Sequence, residues 1–517
     1  MSKLKGKNGK LIAAAAVVAL LVGGFVVRSG SGASEGGTIT YLTNSESWTH
    51  ADPNRNYTGQ HIAWFGSYMH RTLTAYARAE GSAGSAVVPD LATDTGRSSN
   101  DNKTWEFTLR EGVTFEDGSA ITCEDIKYGV SRTFATDVIT DGPTYAISML
   151  DIPKAEDGSS VYKGPYATEN NDTAAYDKAV TCSDDNKTIT FNLSRSVGDF
   201  NYTVTYLSFS PVPKAKDTGD QYDLAPVSSG PYKIEKYKAK DEMVLVRNDK
   251  WSKDSDPIRQ AYPDKIVVRF GLAEEVRDQL VLSDSEPNSF SLDGILPTNL
   301  PTVFDDAGKP KAEWAERALN VYDPYVRYAA FNVKKVPCLE IRRAVYFAKD
   351  AAGLLQLSGG AAFGGDPADG AIKPLMGLDY KKVTGLEDYK PAGNAEAAKA
   401  LMDKAKTTCP AEYAKATDPK RGLVFDTADS ETNKKGAAIW IDSMMKNAGI
   451  VMKFNFIEPG SYYAVVLDAT KQSDLSAGGW APDWANASTV IPELFTKEGG
   501  FPMSQNWDDP AYAAFKK

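Results

Sequence analysis

The chain has 517 residues and a formal net charge of −10. That length exceeds one ordinary hydrophobic core and predicts two or three domains. Hydrophobic residues make up 42% and charged residues 24%, which is typical of a globular protein. The acidic balance argues against nucleic acid or anionic lipid as the main partner, and we expect neither.

The N-terminus has the pattern of an export segment. Lysine-rich residues 3–10 precede an uncharged apolar run at residues 11–27. This pattern predicts either a signal peptide, cleaved after about Ala33, or a single-span tether to the cytoplasmic membrane. We therefore assign residues 1–36 to an export signal or anchor with its spacer, and expect the rest of the chain outside the cytoplasm.

Strand signals dominate the first half of the exported region. Residues 38–42 predict a strand, and residues 61–77 predict a helix from apolar residues at every third or fourth place. Residues 105–109 and 189–193 alternate apolar and polar side chains, and each follows an Asp-Asn-Lys turn. We expect two half-buried strands there.

Helices and strands alternate in the second half, which is the pattern of an α/β protein. Asn394 is suited to cap a helix at its start, and Gly449 is suited to end one. We expect strands at 243–247 and 265–270, helices at 341–348, 394–406 and 437–448, and a further strand at 450–456.

The usual signatures of an exported hydrolase are missing from the sequence. Its three histidines, His50, His61 and His70, form no HExxH motif, and there is no G-x-S-x-G or G-x-x-x-x-G-K-[ST] segment. We expect no enzyme activity, no cofactor and no bound metal. Glycosidase-type carboxylate pairs stay open, because sequence spacing does not give their distance in space.

Four short segments stand out between residues 104 and 484. They are TWEFTLREGVTFEDG at 104–118, SGPY at 229–232, AFN at 330–332 and GWAPDW at 479–484. In this order they resemble motifs of the family-5 extracellular solute-binding proteins of ABC importers, the dipeptide/oligopeptide-binding type. The resemblance covers roughly residues 37 to 500.

The resemblance implies an α/β fold of the two-lobed periplasmic-binding-protein type II, with an extra domain inserted in the first lobe. The ligand would lie between the lobes. The first lobe would then consist of two separate stretches, residues 37–90 and residues 226–315. The extra domain would take residues 91–225 between them, and the second lobe would take residues 316–517.

The resemblance also implies partners: a peptide ligand, and the permease and ATPase subunits of an importer that a monomeric receptor serves. The sequence departs from the family pattern in three ways. No cysteine precedes Cys123, so the usual lipid anchor is not expected, and no arginine precedes Trp480 closely enough to bind a peptide carboxylate. The family's C-terminal return to the first lobe is also missing before Lys517.

The four cysteines are an even set without CxxC spacing, which disfavours a metal site and permits disulfides outside the cytoplasm. Three pairings are open, as are four buried free thiols. We favour Cys123 with Cys182 and Cys338 with Cys409, because each pair would then lie within one of the expected domains.

Asp483 is the candidate ligand-binding carboxylate, which would pair with the α-ammonium of a peptide. Trp480 and Trp484 would line the site and lower its local dielectric constant, strengthening that pair. The alternatives are a turn residue for Asp483 and ordinary core for the tryptophans. Weaker candidates are loop residues at strand ends, namely Asn44, Ser45 and Ser229.

Two other functions stay open at this point. The same fold could bind an oligosaccharide, a nickel complex or another solute. A protein of another class, an exported membrane-anchored enzyme or a sensory lobe, would also fit the N-terminal segment. We favour the receptor that captures peptides.

Overall fold

The computed structural model describes residues 35–48, 50–458, 461–484 and 486–495. The predicted export segment lies outside these residues. Within the described ranges, no helix is long and apolar enough to cross a membrane.

The described residues form a mixed α/β protein. The strands are β1 (Thr38–Leu42), β2 (Thr74–Tyr76), β3 (Val87–Pro89), β4 (Arg97–Ser99), β5 (Thr104–Thr108), β6 (Val180–Cys182), β7 (Thr188–Asn192), β8 (Tyr232–Lys238), β9 (Glu242–Arg247), β10 (Lys265–Arg269), β11 (Ser289–Phe290), β12 (Val326–Phe331), β13 (Leu423–Ala428), β14 (Met452–Ile457) and β15 (Leu475–Trp480). The α-helices are α1 (Gly59–Tyr68), α2 (Cys123–Arg132), α3 (Tyr145–Met149), α4 (Thr173–Ala179), α5 (Phe200–Thr203), α6 (Glu274–Leu282), α7 (Leu300–Val303), α8 (Leu339–Ala348), α9 (Ala351–Gln356), α10 (Ala361–Gly364), α11 (Ala395–Thr408), α12 (Pro410–Thr417), α13 (Glu431–Ala448), α14 (Tyr462–Val466) and α15 (Ile491–Phe495).

The first sheet has five strands in the order β11-β1-β10-β9-β8. Strand β1 is parallel to β10 and β11, and β9 and β8 extend the sheet in antiparallel fashion. Helix α1 covers this sheet with Trp64 and Phe65, which join a core that includes Tyr41 and Trp48. The predicted strands that correspond to β1, β9 and β10 are confirmed.

The helix predicted for residues 61–77 is wrong in its second half. The helix ends at Tyr68, and Thr74–Tyr76 form strand β2, which pairs with β3. Tertiary contacts and local strand preference explain the difference. The backbone N–H of Arg71 donates to Ser229 Oγ at 2.9 Å, and β-branched Thr72 and Thr74 favour an extended chain.

An antiparallel sheet, β4-β5-β7-β6, lies entirely between residues 97 and 192. The two strands predicted after Asp-Asn-Lys turns are neighbours in it. Trp105 is opposite Phe191 and Phe107 is opposite Ile189, and all four side chains are buried. Cross-strand pairs of this kind stabilise one face of a sheet.

The second sheet has the order β12-β15-β13-β14, in which β13 is parallel to β14 and β15, while β12 is antiparallel to β15. Helices α8, α11 and α13 pack together on it. The predicted caps are confirmed: Asn394 accepts the N–H of Ala397, and Gly449 ends α13 with φ at 66°. Helix α13 begins earlier than predicted, where the Ser430 side chain caps its first turn.

Two disulfides join elements within separate hydrophobic cores. Cys123, at the start of α2, is bonded to Cys182 in β6, with 5.8 Å between their Cα atoms. Cys338, just before α8, is bonded to Cys409, between α11 and α12, with 6.1 Å between their Cα atoms. These are the two pairs that the sequence analysis favours.

Candidate functional site

Asp483 lies three residues beyond the end of β15, in a turn that faces distant regions of the chain. The hydroxyl of Tyr57, just before α1, donates to Asp483 Oδ2 at 2.9 Å. The same hydroxyl lies 3.3 Å from the hydroxyl of Tyr145. The carboxylate of the GWAPDW segment is therefore bonded to Tyr57 of the N-terminal half, and Tyr145 lies next to that tyrosine.

Thr489 fixes the geometry of this turn. Its hydroxyl accepts the backbone N–H of Asp483 at 3.1 Å, and its carbonyl accepts the indole N–H of Trp480 at 2.9 Å. Thr489 is buried, so these bonds are shielded from water. Trp480 is partly exposed and Trp484 is buried, so the two tryptophans lie in different surroundings.

Trp484 is inserted into the core of the antiparallel-sheet region and is 3% exposed. Its ring meets Tyr145 and Tyr206 edge-on, with centroids 5.1 and 6.3 Å away. Its indole N–H donates to Asp199 Oδ2 at 2.8 Å. The turn after the second sheet is thus held by residues that lie far earlier in the chain.

Two carboxylates near this turn have raised pKa values. Burial raises the pKa of Asp483 to about 7; the hydrogen bond from Tyr57 lowers it and the nearby charge of Glu493 raises it. Burial also raises the pKa of Glu493, while Arg195 lowers it. Among the described residues, neither carboxylate has a lysine, arginine or histidine nitrogen within 4.0 Å.

The burial of Asp483 disfavours its charged form, and no cation of the described chain lies close enough to pair with it. Burial and the neighbouring Asp483 charge also raise the pKa of Tyr57, so the tyrosine stays a hydrogen-bond donor at neutral pH. The donor occupies Oδ2 of the carboxylate. An incoming ammonium group would supply the missing positive charge.

The loop candidates after β1 do not join this group. Asn44 donates from its backbone to Asp293 at 3.0 Å and from its side chain to Glu274 at 3.2 Å. The backbone N–H of Ser45 donates to the Thr43 hydroxyl. Asn44 and Ser45 are both exposed, and none of these bonds reaches Asp483.

Ser229 lies apart from the group around Asp483. It is 2% exposed, and its hydroxyl accepts the Arg71 N–H. This bond links Ser229 to the chain segment that follows α1.

Sequence reasoning missed Tyr57, Thr489, Asp199 and Glu493. Only Thr489 and Glu493 are near the GWAPDW segment in sequence. Tyr57 and Asp199 are hundreds of residues away, and nothing in their local patterns distinguishes them from other tyrosines and aspartates. Their proximity to Asp483 and Trp484 exists only in the folded chain.

The two sheets with helices, and the antiparallel sheet whose strands lie in sequence between β1 and β8 of the first, form a two-lobed binding protein of the periplasmic type II fold. The model of the bacterial extracellular solute-binding proteins, family 5 Middle, matches residues 86–502. The chain belongs to this family, as the resemblance implied.

Known relatives agree with this assignment. The oligopeptide-binding protein OppA of Bacillus subtilis (strain 168) is 25% identical over 432 residues, covering 80% of this chain and 71% of that protein. The probable D,D-dipeptide-binding periplasmic protein DdpA of Escherichia coli (strain K12) is 22% identical over 437 residues, covering 82% and 71%. The solved clavulanic acid biosynthesis oligopeptide binding protein 2 matches with a TM-score of 0.76 and 25% identity, covering 94% of this chain and 84% of that one.

Proposed function

We propose that this protein captures peptides outside the cytoplasmic membrane and delivers them to an ABC importer. The observation that carries the proposal is Asp483, a partly buried carboxylate with a raised pKa and no cationic partner among the described residues. A peptide N-terminus supplies such a cation. The names of the relatives OppA and DdpA, an oligopeptide-binding and a D,D-dipeptide-binding protein, support the choice of a peptide.

Asp483 gives a physical reason for ligand capture at this place. Burial disfavours the charged form of a carboxylate that has no cationic partner. When an α-ammonium group binds, it forms a charge-assisted hydrogen bond with the carboxylate and offsets this penalty. The Tyr57 hydroxyl already donates to Oδ2 of Asp483, so we expect the ammonium group of the ligand to donate to Oδ1. The tyrosines around it provide an apolar wall with polar tips, which suits a ligand of variable side chains.

The remaining assignments follow from this role. We propose that the protein acts as a monomer with permease and ATPase partners, without enzyme activity, and that residues 1–36 export it or tether it. We propose the domain boundaries 37–90, 91–225, 226–315 and 316–517. Supporting them, the first sheet takes its strands from the first and third of these segments, and the antiparallel sheet lies within the second.

Asp483→Ala is expected to weaken binding of a short peptide about 30-fold or more. Losing one partner of a buried charge pair typically costs about 2–5 kcal/mol, much of it from the stranded partner. The peptide would be chosen by a thermal-shift screen of a short-peptide library, and titration calorimetry would measure its affinity. N-acetylation of the peptide should weaken binding to the wild type by a similar factor and add little in the variant.

Asp442→Ala is the matched control for this cycle, because Asp442 is an exposed aspartate on α13. It should bind both peptides as the wild type does. If the two losses instead add, or if Asp483→Ala keeps wild-type affinity, Asp483 is a turn residue and the proposed site is wrong. Circular dichroism of each variant would verify the fold.

Peptide affinity is also expected to fall in acid. The pKa of Asp483 is about 7, so its charged form, which the ammonium needs, is lost as the pH drops below 7. Affinity at pH 5 should be up to about a hundredfold weaker than that of the fully ionised site. Above about pH 8 the peptide's own amino group loses its proton, which weakens binding again.

The control for this pH dependence is Asp483→Asn, whose affinity should not decrease over the same acid range. A wild-type affinity that stays constant there would contradict a role for the Asp483 charge. Calorimetry in a series of buffers would provide both curves and the number of protons released on binding.

A further inference from the structure

Asp199 stands at a helix start but does not cap that helix. It is the residue before α5, where an aspartate ordinarily accepts a backbone N–H of the first turn, yet its side chain makes no such bond. Instead, Asp199 Oδ2 accepts the indole N–H of Trp484 at 2.8 Å and the hydroxyl of Ser488 at 2.6 Å. The carboxylate is therefore directed at the turn of the second lobe.

The two donors are sequence neighbours of Asp483 and of the residue that fixes its backbone. Trp484 follows Asp483 directly, and Ser488 lies beside the Thr489 that accepts the Asp483 N–H. The contacts of Asp199 with this turn join residues that are far apart in sequence, since Asp199 lies in the segment 91–225 and the turn follows the second sheet. The acceptor and both donors belong to the chain itself, so these bonds need no ligand.

We propose that Asp199 is a positioning residue which, through Trp484, holds the turn bearing Asp483 in a closed arrangement before any peptide binds. The ring of Trp484 supplies the apolar component of this contact, because Tyr145 and Tyr206 surround it. The carboxylate supplies the directional component, since a hydrogen bond to a charged acceptor is stronger than a neutral one. The idea rests on the proposed function and extends it to the free protein.

The test compares open and closed populations in the absence of ligand. Spin labels at exposed Glu156 and Glu396 would report the distance between the two regions by double electron–electron resonance. Asp199→Ala should raise the ratio of open to closed protein about tenfold, as expected for the loss of hydrogen bonds to a charged group. Trp484→Phe, which keeps an aromatic ring and removes the donor, should shift it in the same direction, and the double variant should shift it little further.

Asp172 offers a matched control. It precedes α4 in the same region, and its side chain accepts the Ala175 N–H at 3.0 Å, so it caps its own helix. Asp172→Ala should lower the melting temperature and leave the distance distribution unchanged. Asp199→Ala should leave the melting temperature unchanged and should shift the distance distribution toward the open form.

Unchanged distances in Asp199→Ala would overturn the proposal, as would a shift of equal size in the Asp172 variant. Because no peptide is used, this outcome is independent of whether Asp483 binds an ammonium group. In a second measurement, the peptide affinity of Asp199→Ala should fall by the same factor as the closed population. An unchanged affinity with a changed population would also count against the positioning role.

Discussion

Asp90→Ala is expected to lower the free energy of unfolding by about 3–5 kcal/mol, the usual cost of removing one partner from a buried ion pair. Asp90 is fully buried between two arginines. It accepts from Arg71 Nε at 2.8 Å and from Arg259 Nη1 at 3.0 Å. Asp256 completes the group, 3.2 Å from Arg259 Nη1.

The geometry explains why the loss should be large. Without Asp90, two guanidinium groups would share a single buried carboxylate, and both are almost fully shielded from water. Burial alone would raise the pKa of Asp256, but the charges of Arg259 and Arg71 outweigh it and hold that pKa well below its usual range. The group joins residues 71–90 to residues 256–259, so its loss would remove a buried link between these two chain segments.

Urea unfolding followed by circular dichroism would measure this loss. The matched control is Glu111→Ala, which removes one partner of the exposed Glu111–Lys187 pair. Exposed pairs contribute little to stability, so that variant should unfold at the wild-type urea concentration. A loss in Asp90→Ala no greater than in the control would show that the buried group does not stabilise the fold.

Local patterns predicted the sheets better than the connections between them. The strands at Trp105 and Ile189 follow from alternation and turn chemistry, which are properties of a few neighbouring residues. The end of α1 could not be predicted from such local patterns. The residues after Tyr68 continue a helical spacing of apolar side chains, but Arg71 and His70 are drawn into contacts with segments that lie far along the chain.

The site shows the same limit. Asp483 and its two tryptophans could be found from the GWAPDW segment, because the resemblance is carried by adjacent residues. The different burial of Trp480 and Trp484 could not be predicted from that segment, since it depends on Tyr145 and Tyr206 of another region. Spacing in sequence identifies candidate groups, whereas their partners depend on how the lobes meet.

Replacing both cysteines of either disulfide with serine is expected to lower the free energy of unfolding by about 4 kcal/mol. The bridges join residues 59 and 71 positions apart, and cross-links over loops of this length remove much of the entropy of the unfolded chain. Each cystine also lies in or against a hydrophobic core, with Cys123 fully buried and Cys338 6% exposed.

The two losses should add, because the bridges lie in separate hydrophobic cores. Denaturant unfolding of both double-serine variants and of the four-serine variant would measure this, and the wild type with a reductant should match the latter. The four-serine variant itself should be insensitive to reductant.

Mapping of non-reduced proteolytic peptides provides an independent result: a fragment that joins Cys123 or Cys182 to Cys338 or Cys409, or four alkylated thiols, would contradict the pairing. Equal unfolding with and without reductant in the wild type would contradict the stabilising role, even if the pairing is correct.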